Sequence, residues 1–184
     1  EKHSGSKHDS DKPKEACEIR NEQTRCKLAK WERNRTEIPP HTGSTVWLYR
    51  IFEHQCVCGD RRALENDRKV NALLSQQVQK GIHLNTVRHR AIIWNTPANN
   101  YANFNAWLLQ CWGIDSVCEM IDLHGVDIID TSSREEMLKG LAKMYQTSTM
   151  RAHTKGGYEI ILDDLWQKYH EYNADMIIMF DQIS

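Results

Sequence analysis

The chain has 184 residues, with 24 Lys and Arg against 25 Asp and Glu, a formal net charge of −1 and a mean hydropathy of −0.68. That balance offers no electrostatic attraction for nucleic acid or an anionic membrane, and no apolar run approaches the roughly 18–20 residues of a membrane span. The length suits a domain with its own core, so the six cysteines are not required as staples.

Residues 1–14 are Glu, Lys, His, Asp, Ser and Gly with Pro13 the one apolar exception, the composition of a solvated tail. Residues 15–35 read as a helix whose apolar positions, Ala16, Ile19, Leu28 and Trp31, make only a thin stripe. Such a helix is expected to pack on something else. Pro39 and Pro40 stop it, and Thr42-Gly43-Ser44 marks a turn. Residues 46–52 are aromatic and β-branched, and fit a strand or the first turns of a helix. Residues 61–80 carry Ala63, Leu64, Val70, Leu73, Leu74 and Val78 at helical spacing, and Gly81 closes them. A mainly helical region is thus predicted over residues 15–87.

The pattern then changes. Residues 90–94 are a short apolar run closed by Asn95, Thr96 and Pro97, which suits a buried parallel strand. Residues 99–112 follow as a helix with Tyr101, Phe104, Trp107, Leu108 and Cys111 on one face, stopped by Gly113; Trp94, Trp107 and Trp112 read as core residues. Residues 116–123 give a second strand, residues 132–145 a helix opened by Ser132 and Glu135-Glu136, residues 160–172 another helix, and residues 174–180 a third strand. The expectation for residues 88–184 is an α/β domain with a parallel sheet and flanking helices in the order β-α-β-α-α-β.

Parallel α/β sheets place ligands at the carboxyl ends of their strands. Those ends offer Asp122, His124 and Asp181, an acid–base or metal-binding set for a small α/β enzyme, although polar residues also stand wherever strands run into loops. The stretch from Asn95 to Asn100 has no glycine, so neither a dinucleotide fingerprint nor a phosphate loop is present, and no cofactor is predicted. His54, Cys56 and Cys58 are soft ligands for zinc, set against a reading as ordinary thiols. Asn34-Arg35-Thr36 is a glycosylation sequon, and with the even cysteine count it supports a secreted, disulfide-bonded alternative to a cytoplasmic chain.

Residues 90–96, 104–113 (FNAWLLQCWG), 118–123 and 165–179 together resemble a SEFIR domain, the TIR-related module of interleukin-17 receptor tails and their adaptor. Residues 124–158 form an extra segment relative to that pattern. The resemblance implies an intracellular signalling domain that associates homotypically, with itself or a related domain as partner, through surface helices and the loop after the second strand. In this chain that loop offers Val126, Asp127, Ile128, Ile129 and Asp130, an apolar cluster rimmed by charge. The loop-helix glutamate of NAD-cleaving TIR relatives is not placed in this sequence, so their activity is not carried over. A helical Pointed-like module over residues 104–172 is a further alternative, against which the β-branched run at 177–178 speaks.

Overall fold

The structure is a computed structural model that describes residues 11–37, 39–40, 58–82, 87–94, 104–120, 126–147 and 157–180. Helices α1 (Asp11–Arg33) and α2 (Arg61–Gln79) precede strand β1 (His89–Trp94). Helix α3 follows (Phe104–Trp107, prolonged by a π-helical turn, Leu108–Trp112), then β2 (Ile114–Glu119), α4 (Arg134–Gln146), α5 (Tyr158–Glu171) and β3 (Met176–Met179). The three strands form one parallel sheet in the order β2-β1-β3. The parallel α/β arrangement and the helical region ahead of it are therefore both present. Residues 46–52, expected as a strand or the first turns of a helix, and the first ten residues of the expected tail lie outside the described residues.

Ala91, Ile92 and Ile93 are each fully buried, and consecutive strand residues point to opposite faces, so the centre of β1 is covered on both sides. On one face Trp31 of α1 joins Ile92, Trp94, Cys118 and Tyr172 in the main core, against which Leu165 and Tyr169 of α5 pack. The indoles of α3 fall elsewhere. Trp107 and Trp112 were expected in the core, but they are 48% and 57% exposed, because α3 lays Leu108 and Leu109 on the sheet instead.

Helix α1 opens at Asp11, inside the expected tail, and ends with Lys30 and Arg33 in its last turn, a charge order that suits the helix dipole. Its thin apolar stripe is explained by what it buries: Asn21, Gln23, Thr24, Lys27 and Lys30 are all inside. Asn21 donates from Nδ2 to the Ile129 carbonyl (2.7 Å) and accepts at Oδ1 from the Ile129 N–H (2.9 Å). Arg33 donates to Asn71 Oδ1 (2.6 Å) and Ser75 Oγ (2.8 Å) on α2. Asn34, just past the helix end, is fully buried and donates to the Val117 carbonyl at 3.1 Å. The sequon at Asn34 therefore cannot carry a glycan in the folded chain. Among the described cysteines Cys17 and Cys118 are buried, whereas Cys58 and Cys111, the latter on the expected apolar face of its helix, are exposed.

The β1–β2 ladder breaks register between Ala91 and Ile92: Ala91 faces Ser116, whereas Ile92 faces Cys118. Val117 is the extra residue, and its carbonyl is the one that Asn34 satisfies. β2 also starts two residues earlier than expected and runs from Ile114 to Glu119; residues 121–123 of the expected strand lie outside the described residues. The bulge has a consequence for side-chain direction. It sets Cys118 beside Ile92 and Glu119 beside Ile93, so that Glu119 turns to the face that α3 covers.

Tyr172 sits at the end of α5, 2% exposed, with the Arg35 guanidinium 5.2 Å from its ring centroid. Burial, with the Cys118 thiol as a lesser cause, pushes its phenol well above the ordinary value of 10.0. Above that pH the unfolded chain sheds this proton while the folded chain keeps it. The contribution is thus intact below pH 10.0 and is lost as pH rises beyond it. Urea midpoints should fall between about pH 9 and pH 11, and Tyr172→Phe should flatten that fall measurably. A Tyr172→Phe chain with an unchanged alkaline slope would assign the sensitivity to other groups.

Candidate functional site

β1 is central, and the chain leaves it for β2 on one side and reaches β3 on the other, which makes the carboxyl ends of β1 and β3 the topological switch point. There Trp94 pairs with Met179, and the Phe180 N–H donates to the Trp94 carbonyl at 3.4 Å. Phe104, the first residue of α3, sets its ring edge-on to Phe180 with centroids 5.0 Å apart. The aromatic row continues along α3 from Phe104 to Trp107 (5.9 Å) and on to Trp112 (6.1 Å). Phe104 and Phe180 therefore form an apolar rim at these strand ends, while Trp112, next to Gly113, lies towards the amino end of β2.

The polar element of this site lies directly beside that rim. Glu119, the last residue of β2, is fully buried, and Asn105 donates to its Oε1 from Nδ2 at 3.0 Å. Asn105 is itself buried, and its Oδ1 has no hydrogen-bond partner. The local sequence explains the placement. Asn105 stands at the start of the crossover helix, where it overlies the strand end, and the bulge at Val117 rotates Glu119 towards it. Helix α3 closes as a π turn capped by Gly113 at φ 69°, where a side chain would collide with Arg88. Turns of this kind are frequent at functional sites.

The residues singled out from the sequence fare differently. Asp122, His124 and Asp181, together with His54 and Cys56, lie outside the described residues. Cys58 is exposed, and among the described residues no three His, Cys, Asp or Glu side chains gather as a metal site. The segment from Val126 to Asp130 is not one exposed patch. Ile128 is 46% exposed, but Ile129 is 2% exposed and packs with Cys17 and Met137. Asp127 is taken up by structure: it accepts from Thr147 Oγ1 (2.7 Å) and pairs with Lys143 (3.1 Å), which with the Thr147 bond foremost holds its carboxyl below the ordinary range. Asp130 accepts from the Ser132 N–H at 2.8 Å, and that bond likewise lowers its carboxyl. No described helix is long and apolar enough to cross a membrane.

Glu119 and Asn105 were passed over in the sequence. The available signal was a lone carboxylate in an apolar strand, Val117-Cys118-Glu119-Met120. A charge in such a run needs a dedicated partner.

The family model for the 2-hydroxyglutaryl-CoA dehydratase D-component matches residues 1–183. The chain belongs to that family. The match overturns the SEFIR/TIR resemblance and, with it, the homotypic signalling function. That resemblance rested on apolar strands alternating with helices, a pattern of fold and not of function. The dehydratase family also extends across α1 and α2, which the resemblance left out. No curated protein and no solved structure matches the chain.

Proposed function

We propose that the chain is part of a dehydratase component that takes water from a 2-hydroxyacyl-CoA thioester, and that the switch-point crevice receives the acyl end of that thioester. The observation that carries this reading is the family match over residues 1–183. The geometry supports it: Phe104 and Phe180 offer an apolar contact for an acyl chain, and Asn105 with Glu119 offers a polar contact at the same end of the sheet. The earlier alternative of an α/β enzyme working at its strand ends is thus nearer the mark than a signalling domain.

Loss of water from such a thioester takes the hydroxyl from the carbon next to the carbonyl and a proton from the carbon after it. That second carbon is not acidified by the carbonyl, so a single carboxylate is not enough for the reaction. The role these residues support is to bind the acyl chain, orient its hydroxyl and keep water away. A protein described as one component works with others, which supports a protein partner within the same enzyme.

The test is titration of the assembled component with 2-hydroxyglutaryl-CoA while tryptophan emission is followed, with free CoA as the control. A saturable change is expected at micromolar to about millimolar concentration, the common range for such substrates, and it should be absent with free CoA. No saturation by about 1 mM, or an equal response to free CoA, would sink the reading.

A further inference from the structure

One edge of the sheet and one flank of α5 are left uncovered together. β3 is an outer strand, and Met176-Ile177-Ile178-Met179 is apolar throughout, without the charge or proline that shields a free edge. Arg90 turns its N–H towards the β3 side, to Asp175, and the Phe180 N–H donates to the Trp94 carbonyl. Alternate residues of a parallel strand bond to the same neighbour, so Met176 and Ile178 face β1. Ile177 and Met179 then turn their N–H and C=O groups outwards, and no described strand pairs with them.

α5 adds a side-chain surface over the same edge. Ile161, Leu165 and Tyr169 pack on the main core, and on one flank Glu171 pairs with Arg35 at 2.8 Å, just past α1. The neighbouring Asn34 bonds to Val117 of β2, so that flank points towards β2. Leu162 and Trp166, one turn apart on the opposite flank, therefore overhang the free side of β3, and both are exposed. Met179 is exposed too, and its pairing with Trp94 of the core sets it on the face that α5 covers.

We propose that this edge joins a second copy of the chain across a two-fold axis at Ile178, giving one six-stranded sheet. The free groups fix the axis: set antiparallel, Ile177 of each copy meets Met179 of the other and exchanges both hydrogen bonds with it. α5 packs on Ile92 and Ile177, between β1 and β3. With strands about 4.8 Å apart, the two α5 helices then run about 10 Å from each other, the distance at which helices pack. The short turn from Tyr172 to Asp175 makes α5 antiparallel to β3. Rises of about 1.5 and 3.3 Å per residue put Leu162 of one copy against Trp166 of the other. The same register sets the exposed His170 of one copy opposite the exposed Glu159 of the other, a donor facing a carboxylate on both sides of the axis. The interface buries about 600 Å² per copy, the low end for a specific dimer, and its affinity is moderate, about 10 µM. This pairing belongs to an enzyme component and uses neither a signalling role nor the segment from Val126 to Asp130.

The experiment is sedimentation velocity on the full chain from about 1 to 300 µM. The wild type should pass from 21.5 kDa to twice that mass, with a midpoint near about 10 µM. Trp166→Glu puts a charge at the helix contact, and Met179→Pro removes an outward N–H that makes no bond to β1. Each should raise the dissociation constant at least about tenfold with an unchanged circular dichroism spectrum, and if one fails to fold the other carries the test. In the Ile178→Cys chain the two thiols stand at a non-hydrogen-bonded pair about 4.5 Å apart at Cα, within disulfide reach. Mild oxidation should therefore cross-link it well ahead of the wild type. A monomer at every concentration, including one whose edge is instead taken by another component, would overturn the proposal. So would a dimer that the folded variants leave intact, or cross-linking of the Ile178→Cys chain no faster than the wild type.

Discussion

Replacing Arg90 by alanine is expected to cost the folded chain about 4 kcal/mol, the range found when a buried, hydrogen-bonded charge is removed from its partners. The Arg90 guanidinium donates to the carbonyls of Asn34 (2.6 Å) and Thr36 (3.0 Å) beyond α1, and to those of Tyr172 (2.8 Å) and Asn173 (3.1 Å) beyond α5. Helix carboxyl termini carry unpaired carbonyls and partial negative charge, so one cation joins two helix ends to the first residues of the central strand. Burial pushes the arginine pKa down while Asp115 and Asp175 hold it up, and the side chain stays charged. Truncation would orphan these carbonyls and leave Asp115, 1% exposed, without its nearby cation. Urea denaturation followed by circular dichroism measures the loss. Arg90→Lys should recover less than half of it, because an ammonium cannot fork across both helix ends. A loss below about 1 kcal/mol in Arg90→Ala would mean that other contacts hold the two ends together.

Trp31→Ala should cost a similar amount, about 4 kcal/mol, for a different reason: it empties a large volume in the main core. Trp31 is 2% exposed and packs with Ile92, Cys118 and Tyr172. These neighbours come from strand and helix ends that cannot all close on the gap, so most of the cavity should persist. The same denaturation experiment reads the loss, and near-ultraviolet circular dichroism should report the altered setting of Trp94. Trp31→Phe keeps most of the volume and should cost less than half as much. An alanine variant as stable as the wild type would show that α1 is not part of the cooperative core.

Much of the fold was legible because it rests on local periodicity. The apolar runs around Ile92 and Ile177 could be read as parallel strands, and α2, α4 and α5 carried helical stripes. α4 illustrates how well a cap is written locally: Ser133 accepts from the Glu136 N–H at 3.1 Å, one residue from the expected start. β2 was placed less well, since Ile114 and Asp115 do not continue an apolar run and the bulge at Val117 interrupts alternation. At the site, the expected interaction segment was judged by composition. Ile128 and Ile129 are identical in composition, yet Asn21 on a distant helix holds the Ile129 backbone inside while Ile128 faces out.

By itself the sequence determined the class of fold: a parallel sheet with crossover helices behind a helical N-terminal region, because strand and helix periods are properties of neighbouring residues. The tertiary structure alone decided which polar groups are inside. Asn21 meets Ile129 across 108 positions and Asn34 meets Val117 across 83, and no local pattern encodes such pairs. The bulge at Val117, the point Asn34 answers, turns Glu119 to the face of Asn105. A one-residue shift in a strand exchanges its faces, so the candidate site depends on a register that only long-range hydrogen bonds fix.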